Sequence, residues 1–337
     1  RLTDQTGDRL MGAPGQRYYL RGIVLDTYAQ RRWTQGDRRP VRTVIHETRE
    51  RGQPVRLSRV FPPKQAIIRQ EVRFRSPLPP DSPVFLLHRP LQVEFTDPGV
   101  SQIVLDERTG WLKRADGSAR GEYVALSAAA WEPRPDPERV REISRRGEVS
   151  FPSDRVKELA RSLAREANID PDPATRDPEQ DASLARLFES YLRNTYPYTL
   201  QAPAVPLSVE PTEFFLFEAK RGHCEYFASA LAALCRATGI DARVIGGYLV
   251  SEYDVERELF LVRQWDAHAW VEVNTAPGLW QVMDATPASQ REALHEQGSG
   301  LSRAWRRFLE KIEVAWDTSV VAFDETTQAR LIGGRER

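Results

Sequence analysis

Cysteine is nearly absent: the 337 residues include only Cys224 and Cys235. That scarcity excludes a disulfide-stapled scaffold, and a chain of this length can bury a sizeable core without one. Two thiols neither require nor exclude an oxidising compartment. Excess charge of either sign is also missing. The 48 basic residues are matched by 48 acidic ones, and pairs such as Arg31-Arg32 and Arg145-Arg146 are scattered rather than gathered into a stripe. Nothing marks a nucleic-acid surface. Lysine accounts for only five of the basic residues, a skew toward arginine that genome composition explains more simply than phosphate binding. Long apolar runs are lacking as well. The longest, FASALAALC at 227–235, meets Arg236 at once, short of the roughly 18 to 20 residues that a membrane-crossing helix needs. A starting Met and a signal peptide are not seen, so the expectation is a soluble portion excised from a longer chain.

The length exceeds one ordinary domain, and the patterning changes once along it. Up to about residue 130 the period is two. In AIIRQEVRFRS, Ile68, Gln70, Val72 and Phe74 oppose Ile67, Arg69, Glu71, Arg73 and Arg75. The segments QRYYLRGIVLDTY, VRTVIHETRE, SPVFLLHRPLQVEF, SQIVLDERTGWLKR and GEYVALSA repeat the theme between Pro and Gly punctuation. This predicts a mostly-β N-terminal domain over 1–132, a sandwich or open barrel. Its two histidines, His46 and His88, have no catalytic company. Prolines then cluster in a linker at 133–150. From 151 to 292 the helical period takes over. Ser153 is placed to cap a helix with Val156, Leu159, Ala160 and Leu163 on one face, and DASLARLFESYLRNT offers Leu184, Leu187, Phe188 and Tyr191. A last helical segment, 293–337, carries Leu301, Trp305, Phe308 and Ile312. The fold class expected is α+β.

The chemistry concentrates in RGHCEYFASALAALC, residues 221–235. Tyr226, Phe227, Ala230, Leu231, Leu234 and Cys235 follow helical period, which puts Cys224 in the first turn and Cys235 about 16 Å away, beyond the ~7 Å limit for a disulfide. Cys235 sits among Leu and Ala as a small apolar side chain. Cys224 faces the unpaired N–H groups and positive dipole end of a helix start, which is expected to lower its pKa. A lone cysteine is more often a structural thiol; a nucleophile needs a base and something to orient the base. Downstream, WDAHAWVEVN puts His268, Trp270 and Glu272 on one strand face, and LWQVMDATP puts Trp280, Val282 and Asp284 on another. A hairpin centred on Ala276 would set Glu272 opposite Trp280 and make His268 and Asp284 direct cross-strand neighbours, about 5 Å apart at Cβ. Tyr198, His223, Tyr226 and Trp270 are candidates to line the pocket or to donate to an oxyanion; each has the plainer alternative of packing. Asp266 and Glu225 read as solvated or capping charges. His223, Cys224, His268 and Asp284 have metal-compatible chemistry without metal-binding spacing, so no metal is assigned.

These motifs, FLFEAKRGHCEYFASALAALCRATGIDARVIGGYL, RQWDAHAWVEV and LWQVMDATP, resemble in order the core of the bacterial transglutaminase-like superfamily. The resemblance implies a papain-like core over roughly 195 to 290 with Cys224 as nucleophile, His268 as general base and acid, and Asp284 as orienting carboxylate. YYLRGIVLDTYAQRRW and FLEKIEVAWDTSVVAFDETTQARLI are similar to segments of membrane-embedded members whose catalytic domain lies outside the cytoplasmic membrane, which implies a periplasmic address and a membrane-anchored full chain. MDATP stands where the family more often has Asp-Pro-Thr, which alters the strand exit and keeps the carboxylate. The implied reaction is acyl transfer through a thioester without a cofactor, from a protein or peptide glutamine to an amine. Papain-like geometry also serves a deamidase, an amidase or a peptidase. A non-catalytic binding module with a relic triad is the competitor of another class.

Overall fold

Alternating apolar residues over the first 128 positions form strands, because period two puts every second side chain on one face of a pleated ladder. In the computed structural model, which describes residues 1–36, 43–47, 53–58, 62, 66–75, 82–96, 102–106, 109–114, 122–128, 151–276, 279–291 and 320–321, these strands pair antiparallel. One sheet has the order Leu2–Asp4, Ile68–Val72, Tyr123–Ser127, Pro90–Phe95, Pro54–Arg56. A second has the order Trp111–Arg114, Gln102–Asp106, Thr43–Glu47. Val55, Val84, Leu86, Val93, Phe95, Ile103, Leu105, Leu112, Tyr123 and Ala125 form one apolar core. The predicted linker lies outside the described residues; so does the predicted C-terminal helical segment except for Val320–Val321, which form a short strand antiparallel to Trp33 and Thr34 rather than a helix.

The chain divides into two units, one of Arg1–Val24, Asp37–Pro133 and Ile245–His268, the other of Leu25–Gly36, Arg134–Val244 and Ala269–Arg337. The second unit holds the helices. Ser153 caps Asp154–Glu166 by accepting from the Val156 N–H at 3.1 Å, a bond of a kind that contributes about 1 kcal/mol. That helix buries Val156, Ala160 and Ala164; Asp181–Thr195 buries Leu184, Ala185, Phe188 and Leu192. Both pack against Cys224–Ala237, which is buried on all sides from Tyr226 to Arg236. Apolar residues all round make it the central helix of its unit.

Each end of this helix has a local cause. At its C-terminus Gly239 takes the left-handed conformation (φ 77°), with the Ile240 N–H returning to the Cys235 carbonyl, as a left-handed glycine stop requires. At its N-terminus His223 is extended, and Gly222 forms a parallel bridge with Tyr198. A Cβ on Gly222 would lie 2.8 Å from the Tyr226 ring, so only glycine permits that approach. The middle is anchored by the Trp33 indole N–H, which donates to Ser229 Oγ at 2.9 Å, and by Ser229 with Thr212 at 3.0 Å. A π-helical turn, Phe214–Ala219, places Phe215 against Tyr196, Tyr226 and Phe227 with ring centroids 5.0 to 5.5 Å apart.

The hairpin of Ala267–Ala276 with Leu279–Met283 forms, but in a different register from the predicted one. Glu272 faces Val282, not Trp280, and Val271 faces Met283. The first strand runs through Thr275 and Ala276, which the expected turn would have used, and the pairing shifts between Asn274 and Ala276. The displacement is two residues, so the faces are kept. Asp284 therefore follows the last ladder pair and is not the direct cross-strand partner of His268.

Candidate active site

Cys224 opens its helix and is buried, 3% exposed. The backbone N–H of Ala269 donates to its sulfur, and Glu225, Asp284 and Arg291 lie within electrostatic reach. Burial pushes the thiol up to about 12; Glu225 and Asp284 act in the same direction, while the Ala269 N–H and Arg291 oppose them. This reverses the expectation of a lowered pKa. A helix start favours a thiolate, but here it lies in an interior that disfavours any charge, and desolvation is the largest effect. At pH 7 the resting group is a neutral thiol that needs a base at the moment of attack.

A prediction follows for modification by iodoacetamide. With the pKa raised from 9.0 to about 12, the thiolate fraction climbs tenfold per pH unit through neutral and mildly alkaline conditions. The Cys224 alkylation rate, followed by peptide mass mapping, should rise continuously from pH 7 to 10 with no acid-side plateau. A plateau below pH 8 would show a preformed thiolate instead. Cys235, free and fully buried, should react only on unfolding.

Asp284 is half-buried and held on several sides. Its carboxylate accepts from the Thr286 N–H at 2.9 Å, the turn that MDATP makes at the strand exit. Its own N–H donates to Glu189 Oε1 at 2.9 Å, and the Arg193 guanidinium donates to its carbonyl. Tyr198 is 6% exposed, and its hydroxyl is within electrostatic reach of Cys224, Arg291, Asp284 and Glu225. Burial first, then the neighbouring Cys224 and the carboxylates of Asp284 and Glu225, raise it well above the ordinary tyrosine range, so the phenol stays protonated and able to donate. Its main-chain N–H is fixed by Gln290 Oε1 at 2.7 Å.

His268 is 4% exposed, and within its own unit its ring lies 6.2 Å from that of Tyr19. It immediately precedes Ala269, the residue whose N–H meets the Cys224 sulfur. Trp270 is buried at 1% exposure. His223 and Tyr226 pack edge to face at 4.8 Å, and Tyr226 also meets Phe215, so both belong to the aromatic cluster beneath the helix start. Asp266 caps its own turn by accepting from the Arg263 N–H at 2.8 Å. Cys224, Asp284 and Tyr198 are thus brought together, along with groups that motif reading passed over. Arg291, 5% exposed, is a buried cation beside Cys224 and Tyr198. Glu225 is not merely a capping charge, because it opposes ionisation of Cys224. Among the described residues no group of three or more His, Cys, Asp or Glu is arranged to hold a metal.

Residues 149–285 match the family model of the transglutaminase-like superfamily. A protein-glutamine gamma-glutamyltransferase of Pseudomonas aeruginosa is 27% identical over 293 residues, 85% of this chain and 37% of that protein. The uncharacterized protein YebA of Bacillus subtilis is 31% identical over 140 residues, 40% of this chain and 19% of that protein. The chain therefore spans well under half the length of these curated relatives. The periplasmic domain of TgpA from Pseudomonas aeruginosa has the same fold, with a TM-score of 0.56 at 22% identity over 88% of this chain and 90% of that one. Its ethylmercury-bound form gives 0.56 at 23% identity, over 84% and 91%. The fold is mixed α and β with antiparallel sheets, a mostly-strand N-terminal region and a transglutaminase-like core. Among the described residues no helix is long and apolar enough to cross a membrane.

Proposed function

We propose that this chain, whose residues 149–285 carry a transglutaminase-like core, transfers acyl groups from protein glutamines to amines through a thioester on Cys224. The observation that carries the reading is a buried thiol at a helix start that receives the Ala269 N–H and has Asp284 within electrostatic reach. His268, next to Ala269 in the chain, is the base and Asp284 the carboxylate that orients it.

The resting thiol is neutral, so attack and proton transfer go together. The Cys224 S–H proton passes to the imidazole of His268 as the sulfur bonds to the carboxamide carbon. The backbone N–H at the helix start and the Tyr198 phenol are the donors available to the developing oxyanion. The C–N bond then breaks, and the imidazolium proton leaves with ammonia. An amine next attacks the thioester, gives its proton to His268, and the C–S bond breaks with return of the proton to the sulfur. Atoms and charge balance without a cofactor.

An extracytoplasmic, periplasmic position and a membrane-anchored full chain belong to the same reading. The fold shared with a periplasmic domain supports the first, and the resemblance of the flanking segments to membrane-embedded members supports the second. A labelled primary amine offered with a glutamine-containing protein, with products read by mass spectrometry, tests the acceptor. Amine incorporation supports transfer; Glu at the Gln position indicates a deamidase, chain cleavage a peptidase, and no change a binding module.

A further inference from the structure

The main chain of Asp284, the residue that carries the carboxylate of the candidate triad, is held from a helix far away in sequence. Asp284 follows the last ladder pair of its strand, and its main chain is instead met by two side chains of Asp181–Thr195, one turn apart on that helix. Glu189 Oε1 accepts the Asp284 N–H at 2.9 Å across 95 residues of sequence. Arg193 donates to the Asp284 carbonyl and, at 2.7 Å, to the same Glu189 oxygen. The Thr286 N–H holds the carboxylate itself at 2.9 Å. Both main-chain groups and one carboxylate oxygen of a single residue are thereby fixed.

We infer that Glu189 and Arg193 are positioning residues that set the direction of the Asp284 carboxylate. The inference rests on the reading of Asp284 as the orienting carboxylate of the reaction. A salt bridge that served the helix alone would join two side chains along its surface. This pair also holds the N–H and the C=O of one distant residue, with the same Glu189 oxygen and the same Arg193 nitrogen that join the two side chains. The Glu189 side chain is 18% exposed and the Arg193 side chain 40%, so the shared oxygen is sheltered while the guanidinium reaches it from the rim. Misplacing a reacting group by an ångström costs on the order of 100-fold in rate, so the consequence of losing the clamp lies in turnover.

The test is a mutant cycle in the whole 337-residue chain, with kcat and KM measured on a glutamine peptide and a primary amine, and thermal melting for each variant. E189A is expected to lower kcat by about 10 to 100-fold with little change in KM, and R193A to act in the same direction. E189Q keeps an acceptor oxygen and should restore most of the loss. In a D284A background E189A should cost nothing further, because its effect passes through Asp284. An equal fold-loss in both backgrounds, or wild-type turnover by a folded E189A, would overturn the clamp. If D284A itself turned over like the wild type, the reading of Asp284 would fail first, whatever Glu189 did. A purely structural role would lower the melting temperature of E189A and E189Q together and leave kcat of the folded fraction intact.

Discussion

Cys224→Ala is expected to lower amine incorporation on the order of 10,000-fold or more, with the melting temperature nearly unchanged. The rate follows from the role. Removing the nucleophile of a triad forfeits the covalent route, and what survives comes from binding and oxyanion donors alone. The unchanged stability follows from the position. Cys224 is buried at the first turn of its helix, and turning its neutral CH2–SH side chain into CH3 removes a single heavy atom, the sulfur, and leaves no buried charge. Cys235→Ala is the control: it lies at 0% exposure eleven residues along the same helix. A small stability loss with intact turnover is expected there. Progress curves with labelled amine and calorimetry of the same samples separate the two outcomes.

Glu272→Ala is expected to destabilise the fold by about 3 to 5 kcal/mol, the usual result of removing one partner of a buried ion pair. Glu272 is 1% exposed and accepts from Arg243, 7% exposed, at 2.8 Å from Nε and 2.6 Å from Nη2. The guanidinium also lies 3.9 Å from the centroid of Trp280. This three-residue stack joins the strand Ala242–Val250 to both strands of the hairpin through Glu272 and Trp280. Without Glu272 the Arg243 cation stays buried and loses the carboxylate it is paired with. The double variant R243L/E272M should recover most of the loss, because an apolar pair of similar volume avoids the desolvation cost. Urea melts of the three proteins measure it.

Local rules made much of this chain legible. The helix predicted over DASLARLFESYLRNT is found at Asp181–Thr195, Ser153 caps where a serine before an apolar stripe should, and Tyr18–Leu25 is a strand. Each of these depends on neighbours within a few positions. The hairpin register was not legible, because it depends on where the turn falls, and the strand extends through Thr275 and Ala276 into residues that composition assigned to the turn. The direction of the Cys224 shift was misread for a related reason. A helix start is visible in sequence, whereas the desolvation that outweighs it depends on everything packed around the sulfur. Arg291 and Glu189 carry no motif. They come to the site by tertiary packing, Glu189 across 95 residues, and no spacing rule reaches that far.

The central claim is a covalent acyl group on Cys224, and acid-quenched peptide mapping tests it most directly. The protein is mixed with a glutamine peptide without amine, quenched within a turnover, digested at low pH and mapped. The account predicts a mass gain on the peptide containing Cys224 equal to the substrate less ammonia, released by hydroxylamine and absent from Cys224→Ala. Ammonia or amide product formed at the full rate with Cys224 unmodified, or with an equal yield from Cys224→Ala, would contradict it.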